Sequence, residues 1–258
     1  MGPNRTQRSH DVATTTKDIY GGRDPRDVST YSIKDAARFL IIPSTTLHSW
    51  VTGQTYLTQR EGKKRARPVI EIAGGRPPQL SFWNLAEAYV LAGIRRHHGV
   101  SLQSTRRALE YVGRKLGHKR PLIEQDFLTN GADLFVEKLV QLADEDHTIR
   151  ALVNVSRGGQ LAARELLEAT LKRVERDTHG LISRIYPWAG QVEEPKHIEI
   201  DPRRAFGRPV VAGTSVPTES LAERFRAGDS LEELAHDFRI ATSVVESALR
   251  WEMSAAAA

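Results

Sequence analysis

The stretch Tyr31–Trp50, YSIKDAARFLIIPSTTLHSW, constrains the fold more tightly than any other. Ser32 followed by Asp35 reads as a capping box, with an oxygen for the orphan N–H groups and a carboxylate at the positive end of a helix. Ile33, Ala36, Ala37 and Leu40 fall at i, i+3, i+4 and i+7, which predicts one apolar face of a short helix. Ile41-Ile42-Pro43 ends it, since proline is excluded from a helix interior but accepted in a first turn. A second helix follows, with Leu47 and Trp50 three apart on its buried side. Two short helices, a tight turn and paired small residues at the crossing make a helix-turn-helix. Its outward candidates for reading double-stranded DNA are Ser44, Thr45, Thr46, His48 and Ser49, which could reach base edges or phosphates. An ordinary helical hairpin has the same spacing, so the following residues decide.

Thr55–Gln59 and Pro68–Ile72 are β-prone runs flanking the basic segment Arg60–Arg67, which predicts a hairpin with a basic tip. Directly after a helix-turn-helix, such a hairpin is a wing. Lys63, Lys64, Arg65 and Arg67 are its candidate phosphate contacts, adding affinity and salt dependence but little sequence preference. Charge distribution agrees. Residues 31–120 carry sixteen Lys and Arg against five acids, whereas residues 217–258 carry four Arg against eight acids, within a chain of formal net charge +5. A chain polarised this way suits a polyanion at its front and another kind of partner at its tail.

Two helices are expected next. One opens at Ser81-Phe82-Trp83-Asn84 and runs to about His97, burying Leu85, Ala88, Tyr89 and Ala92. The other follows Gly99-Val100-Ser101 and buries Ala108, Leu109, Val112 and Leu116, leaving Arg106 and Arg107 outside. Residues 121–194 read as a linking helical segment. Asn130-Gly131 is a turn, Ala132–Ala143 and Gln160–Val174 are helical by period, and Tyr186 and Trp188 fill the core.

Residues 195–254 read as a small β element followed by three helices. His197–Pro202 is a strand ending in a turn, and Gly207–Pro217 holds two short strands. Leu221, Ala222 and Phe225 face inward in the first helix. Asp229 with Glu232 caps the second, which buries Leu231, Leu234, Ala235 and Phe238, and Ile240 fills the turn. Thr242 caps the third, which buries Val245, Ala248 and Leu249. That helix exposes Ser243, Val244, Glu246, Ser247 and Arg250 among acidic neighbours, where repulsion from phosphate disfavours DNA and a protein partner or second subunit fits better. The fold class is therefore mainly α: a winged helix-turn-helix, a helical middle segment, and a small β element with a second trihelical unit.

The chain has 258 residues and no cysteine, so disulfides and thiolate metal sites are excluded. No apolar run is long enough to span a bilayer, so no membrane role is expected. Residues 1–30 read as a disordered arm without a secretory core, and a cytoplasmic location is expected. No catalytic constellation, phosphate loop, metal site or cofactor is expected. His97-His98 point about 100° apart on a helix, and Asp144–His147 reads as an acidic helix end.

Thr46-Leu47-His48-Ser49-Trp50, the wing and Gly99-Val100-Ser101-Leu102 resemble the winged helix-turn-helix of MerR-like regulators. Ile41 stands where that family usually has glycine, Pro43 where it has a serine cap, and His48-Ser49 where Arg-Tyr is frequent, so base preference does not carry over. The wing is also longer than usual. The tail, through Ile200-Asp201-Pro202, Gly207–Thr214, Ala227–Ser230 and Glu232–Ala235, resembles an antitoxin-associated domain of unknown function found beside PIN-like toxins. The combination, with the Leu128–Glu137 and Val155–Gln160 segments, resembles the large VapB-type antitoxins. The resemblance implies an operator-binding, autorepressing antitoxin that neutralises a PIN-like ribonuclease toxin. Twofold readers match palindromes, so a homodimer is expected. The alternative is a MerR-like ligand-responsive transcriptional regulator without a toxin partner.

Overall fold

The computed structural model describes residues 20–58, 62–98, 102–124, 127, 132–145, 165, 167–187 and 195–256. Strand β1 (Tyr31–Ser32) leads into α1 (Ile33–Leu40) and α2 (Ser44–Thr52). The wing strands β2 (Gln54–Thr58) and β3 (Gly62–Ala66) follow, then β4 (Gln79–Leu80), which pairs antiparallel with β1. Two long helices come next, α3 (Phe82–His98) and α4 (Leu102–Leu116).

The Ser32 cap forms without the reciprocal half of the expected capping box: Ser32 Oγ accepts from the Asp35 N–H at 3.1 Å, and the Asp35 carboxylate accepts from the Ser32 hydroxyl at 2.7 Å rather than from its backbone N–H. Ala36 and Ala37 are fully buried where the helices cross, beneath Leu47 and Trp50. Ile41 closes α1 in the left-handed region at φ 52°, the conformation that explains why a glycine is common there.

Helix α3 is the hub. The period predicts one buried face, but every residue from Phe82 to Ile94 except Trp83 is buried. The reason is that partners surround it. Helix α1 and β4 pack on one side, the turn Pro121–Ile123 and a later strand on others. Helix α4 is amphipathic as expected, except that Arg106 is half-buried and donates to the Arg67 carbonyl at 2.5 Å.

Helix α5 (Ala132–Glu145) packs on α4 through Phe135, Leu139 and Leu142, with Leu134 half-buried. The expected Gln160–Val174 helix is corrected. Residues 167–171 are helical, and Val174 already belongs to β5 (Val174–Arg176), which pairs with β6 (Ile182–Ile185). Buried Arg173 causes the exit: its carbonyl accepts from the Tyr186 N–H at 2.9 Å and its Nε donates to the Tyr186 carbonyl at 2.9 Å. The middle segment is thus part hairpin, and Tyr186 is buried. Asn130-Gly131, Trp188 and Asp146-His147 lie outside the described residues.

Strands β7 (Ile198–Glu199) and β8 (Val210–Val211) pair antiparallel, and an Ile185–Ile200 bridge joins them to β6. Helices α6 (Thr218–Ala227), α7 (Leu231–Phe238) and α8 (Thr242–Ala256) complete the predicted trihelical unit. Three local expectations are corrected. Ser230 and Glu233 form the α7 capping box, because the Asp229 carboxylate is held by Arg224 Nε at 2.5 Å. Thr242 opens α8 as its first helical residue, with Ala241 supplying the carbonyl for the Val245 N–H at 3.1 Å. Phe225 is 45% exposed, because the inward face of α6 is set by Thr218, Leu221 and Ala222, and Phe225 lies beyond it in the last turn.

The N-terminal helix-turn-helix and the C-terminal trihelical unit meet. Helix α8 packs on α1, where Arg38 pairs with Glu252 at 2.8 Å and Glu219 at 3.4 Å. Glu252 is 4% exposed and its other oxygen accepts from the Thr218 hydroxyl at 2.6 Å. Gly207 lies so close to the Tyr31 hydroxyl that no Cβ would fit. Arg26, also buried, is held by Asp24, by Asp177 at 2.8 Å and by the Trp83 ring at 5.0 Å.

Candidate nucleic-acid interface

Ser44, Thr45 and His48 are exposed along one side of α2, with Thr46 and Ser49 half-buried beside them. The Ser49 hydroxyl donates to the Thr46 carbonyl at 2.7 Å, so its proton is already used within the helix. The Thr52 hydroxyl donates to the His48 carbonyl at 2.8 Å and lies 3.2 Å from His48 Nδ1. With that proton on the carbonyl, Thr52 Oγ1 is left to accept from the His48 Nδ1–H. Pro43 occupies the α2 N-cap without a side-chain hydrogen bond. The first-turn N–H groups beside Ser44 and Thr45 therefore keep their capacity for an anionic oxygen.

The wing register pairs Thr55 with Arg65, Tyr56 with Lys64, Leu57 with Lys63 and Thr58 with Gly62. The basic run therefore forms the second strand itself, and the expected Pro68–Ile72 strand is corrected. The Val69 and Ile70 N–H groups both bond to the Trp50 carbonyl at the end of α2, at 2.8 and 3.1 Å, and Ile70 is fully buried. Those bonds turn the chain inward before it could pair with β2. The tip, residues 59–61, and the side chains of Lys63 and Lys64 lie outside the described set. Arg65 and Arg67 are exposed, and Arg65 Nη2 reaches the Thr52 carbonyl at 3.4 Å. Gly53, at φ 80°, permits this close join, because a Cβ there would collide with the Ala66 carbonyl.

Several cations counted in the sequence serve the fold instead. Arg38 is committed to Glu252 and Glu219, Arg106 to the Arg67 carbonyl, and Arg120 to Glu87 at 3.8 Å and the Glu71 carbonyl at 3.4 Å. Burial pushes the Glu87 carboxyl up to about 7, against the opposing pull of Arg120 and the Asn84 amide. Among the described residues, Arg65 and Arg67 at the wing stay exposed, as do Lys34, Arg76, Arg107, Arg114, Lys115 and Lys119 elsewhere in this half. No signal in the spacing pointed to Glu87, Arg26 or Glu252: Glu87 is a lone charge in an apolar stretch, and Arg26 and Glu252 have charged neighbours in the chain from which nothing singles them out.

The α8 residues expected to meet a partner present a different surface. Ser243, Glu246 and Arg250 are exposed, and Val244 and Ser247 are half-buried. Arg250 is neutralised by Glu246 at 2.5 Å. The Ser247 hydroxyl donates to the Ser243 carbonyl at 2.8 Å and lies 2.9 Å from His197 Nδ1. With its proton on that carbonyl, the hydroxyl accepts from the imidazole, the reverse of a nucleophile delivering a proton to its base. Among the described residues, no cluster of three His, Asp or Glu side chains could hold a metal, and no helix is long and apolar enough to cross a membrane.

Comparisons with known proteins divide the chain similarly. The model of the family described as "Putative DNA-binding HTH domain" matches residues 29–109, and that described as "Protein of unknown function (DUF433)" matches residues 198–251. The crystal structure of Rv2018 from Mycobacterium tuberculosis superposes with a TM-score of 0.64 at 26% identity, covering 86% of this chain and 98% of that one. "Uncharacterized protein Rv2308" from the same organism is 24% identical over 237 residues, 86% of this chain and 90% of the relative. A further relative from that organism, described as "Putative antitoxin VapB45", is 30% identical over 230 residues, 86% of this chain and 93% of the relative. With an N-terminal helix-turn-helix, a C-terminal trihelical unit and this likeness along most of its length, the chain belongs to the family of that VapB45 protein.

Proposed function

We propose that this protein is the antitoxin of a type II toxin–antitoxin module, working in the cytoplasm as a homodimer. Its α2 helix and wing bind operator DNA overlapping its own promoter. Ser44, Thr45, Thr46, His48 and Ser49 lie toward the groove, and Lys63, Lys64, Arg65 and Arg67 along the backbone. Its C-terminal unit engages and neutralises a PIN-like ribonuclease toxin, with Ser243, Val244, Glu246, Ser247 and Arg250 as candidate contacts. The observation that carries this reading is the division of charge within one structure: exposed cations at the wing, and acidic side chains on α7 with a neutralised arginine on α8. The likeness to a relative named as an antitoxin supplies the toxin half of the reading. The seam between α1 and α8 gives toxin binding a direct physical route to operator affinity, which is a coupling free energy between two sites.

The test has two arms. Gel-shift titration of the upstream region of its own gene reads the DNA half. Co-expression with the neighbouring open reading frame, followed by mass measurement of the purified complex, reads the toxin half and the subunit count. Retarded DNA without any co-purifying nuclease would favour the second reading, a ligand-responsive MerR-like regulator. That reading draws support from a cavity behind the wing.

A further inference from the structure

The cavity holds about 690 Å³ and lies between the strap Arg67–Val69, helix α4 and the turn that follows it. That volume is in the range of small-molecule sites. The turn is firmly built: the His118 N–H bonds to the Gly113 carbonyl at 2.9 Å, and the packing leaves no easy room for a Cβ at Gly113. Glu87 reaches the cavity from α3 and is 6% exposed. Its Oε2 receives the Asn84 amide at 3.2 Å and faces Arg120 at 3.8 Å, whereas no described residue donates to Oε1. Val69, Leu109, Pro121 and Leu122 give the walls apolar surface. Arg67, Arg114 and Lys119 are exposed around it, and Arg106 contributes a buried Nε without a hydrogen-bond partner.

This lining selects a bipolar ligand. Glu71 and Glu110 also line the cavity, so a simple anion would be repelled by three carboxyl groups, and a simple cation by the guanidinium and ammonium groups of Arg67, Arg106, Arg114, Lys119 and Arg120. An occupant needs hydrogen-bond donors at one end, a flat apolar body, and a concentrated negative charge at the other. Phosphate satisfies the basic groups with charge-assisted bonds, and a purine provides both the flat body and the N–H edge. We infer that this cavity binds a purine mononucleotide, with its base against Glu87 and its phosphate among Arg67, Arg106, Arg114 and Lys119. Guanine is the better fit, because its ring N–H and exocyclic amine offer two parallel donors to a carboxylate, where adenine offers one donor beside an acceptor. The inference goes beyond the antitoxin reading and does not depend on DNA or a toxin.

Isothermal calorimetry on the full chain, without DNA, tests it with GMP, AMP, guanosine and inorganic phosphate. GMP is expected to bind in the micromolar range, AMP more weakly, and guanosine and phosphate each at least about tenfold more weakly than GMP. The double variant Arg114→Ala/Lys119→Ala, both exposed positions, should weaken GMP about tenfold or more while melting like the parent. Glu87→Gln should weaken GMP several-fold while leaving phosphate binding no weaker than in the parent. Absence of GMP binding up to about 1 mM would overturn the inference. So would phosphate binding as tightly as GMP, which marks an anion site alone, or GMP affinity unaltered in both variants.

Discussion

Helices α1–α2 and α7–α8 use the same backbone device for different ends. In each pair an eight-residue helix starts at a serine cap and ends in a non-glycine residue held left-handed, Ile41 at φ 52° and Arg239 at φ 55°. The next residue, Ile42 or Ile240, returns its N–H to the carbonyl of Ala37 or Ala235 at 3.0 Å in both cases. The following helix begins two residues later, at Ser44 or Thr242. The surroundings then diverge. Helix α2 ends after nine residues at Gly53 and hands over to a basic wing, keeping its outer side free. Helix α8 runs for fifteen residues and spends its second half, Trp251, Glu252 and Ala255, in the core near α1. A helix-turn-helix turn therefore specifies a crossing of two helices. Whether the second helix reads DNA or braces a neighbour depends on the charge beside it and on which of its faces remains open.

The largest expected effect tests the DNA side of this contrast. Replacing Lys63, Lys64, Arg65 and Arg67 together by Ala should reduce operator affinity by about 100-fold or more near physiological salt and flatten the salt dependence by up to about 3.6 in log–log slope. Arg239→Ala and Arg250→Ala should leave both unchanged in the same gel-shift series. Equal losses from the two sets would break the comparison.

Next is the seam. Arg38→Ala leaves Glu252 buried with Thr218 as its remaining described hydrogen-bond donor, and should destabilise the protein by about 2–3 kcal/mol in urea titration, below the range for a fully buried pair because Arg38 is partly solvated. One cooperative transition should shift. Two separated transitions would mean that the halves fold independently.

Glu87 sharpens the electrostatics. A carboxyl raised to about 7 in the fold binds a proton that the unfolded chain releases near 4.5, so its contribution is greatest below about 4.5 and is lost as pH rises toward 7. Glu87→Gln should remove that decline, raising stability at pH 7.5 relative to pH 5 by on the order of 2 kcal/mol. An unaltered pH profile would mean that Arg120 keeps the carboxylate ionised. The lowered carboxyls of Asp24, Asp177 and Asp237 act in the opposite direction and only in more acidic solution.

The smallest effect compares the caps. Ser32→Ala and Ser230→Ala should each lower stability by about 1 kcal/mol. In a single cooperative body, both would shift the same thermal transition by similar amounts.

Features carried by neighbours in the chain were legible in the sequence. Ser32 and Asp35 meet because they are one turn apart, Ile41-Ile42-Pro43 cannot continue a helix, and Leu47 with Trp50 share a face by period. The trihelical order of the tail and the mainly helical character follow from the same short-range rules. The wing was legible as a hairpin but not in its register, since that depended on where the chain after Ala66 finds hydrogen bonds, and the Trp50 carbonyl lies outside its local reach.

What the amino-acid sequence determined by itself is therefore the helices of the two terminal units, their turns, and the opposite charge of those units, but not the β5–β6 hairpin between them. The tertiary structure alone decided which charges remain available. It took Arg38 into the seam with Glu252, Arg106 into the support of the wing and Arg26 beneath Trp83, left Phe225 in solvent, and buried α3 on all sides. The reason is physical. Helix and turn formation are governed by hydrogen bonds a few residues apart, whereas ion pairing and burial depend on residues up to 214 positions away, whose proximity exists only once the chain has folded.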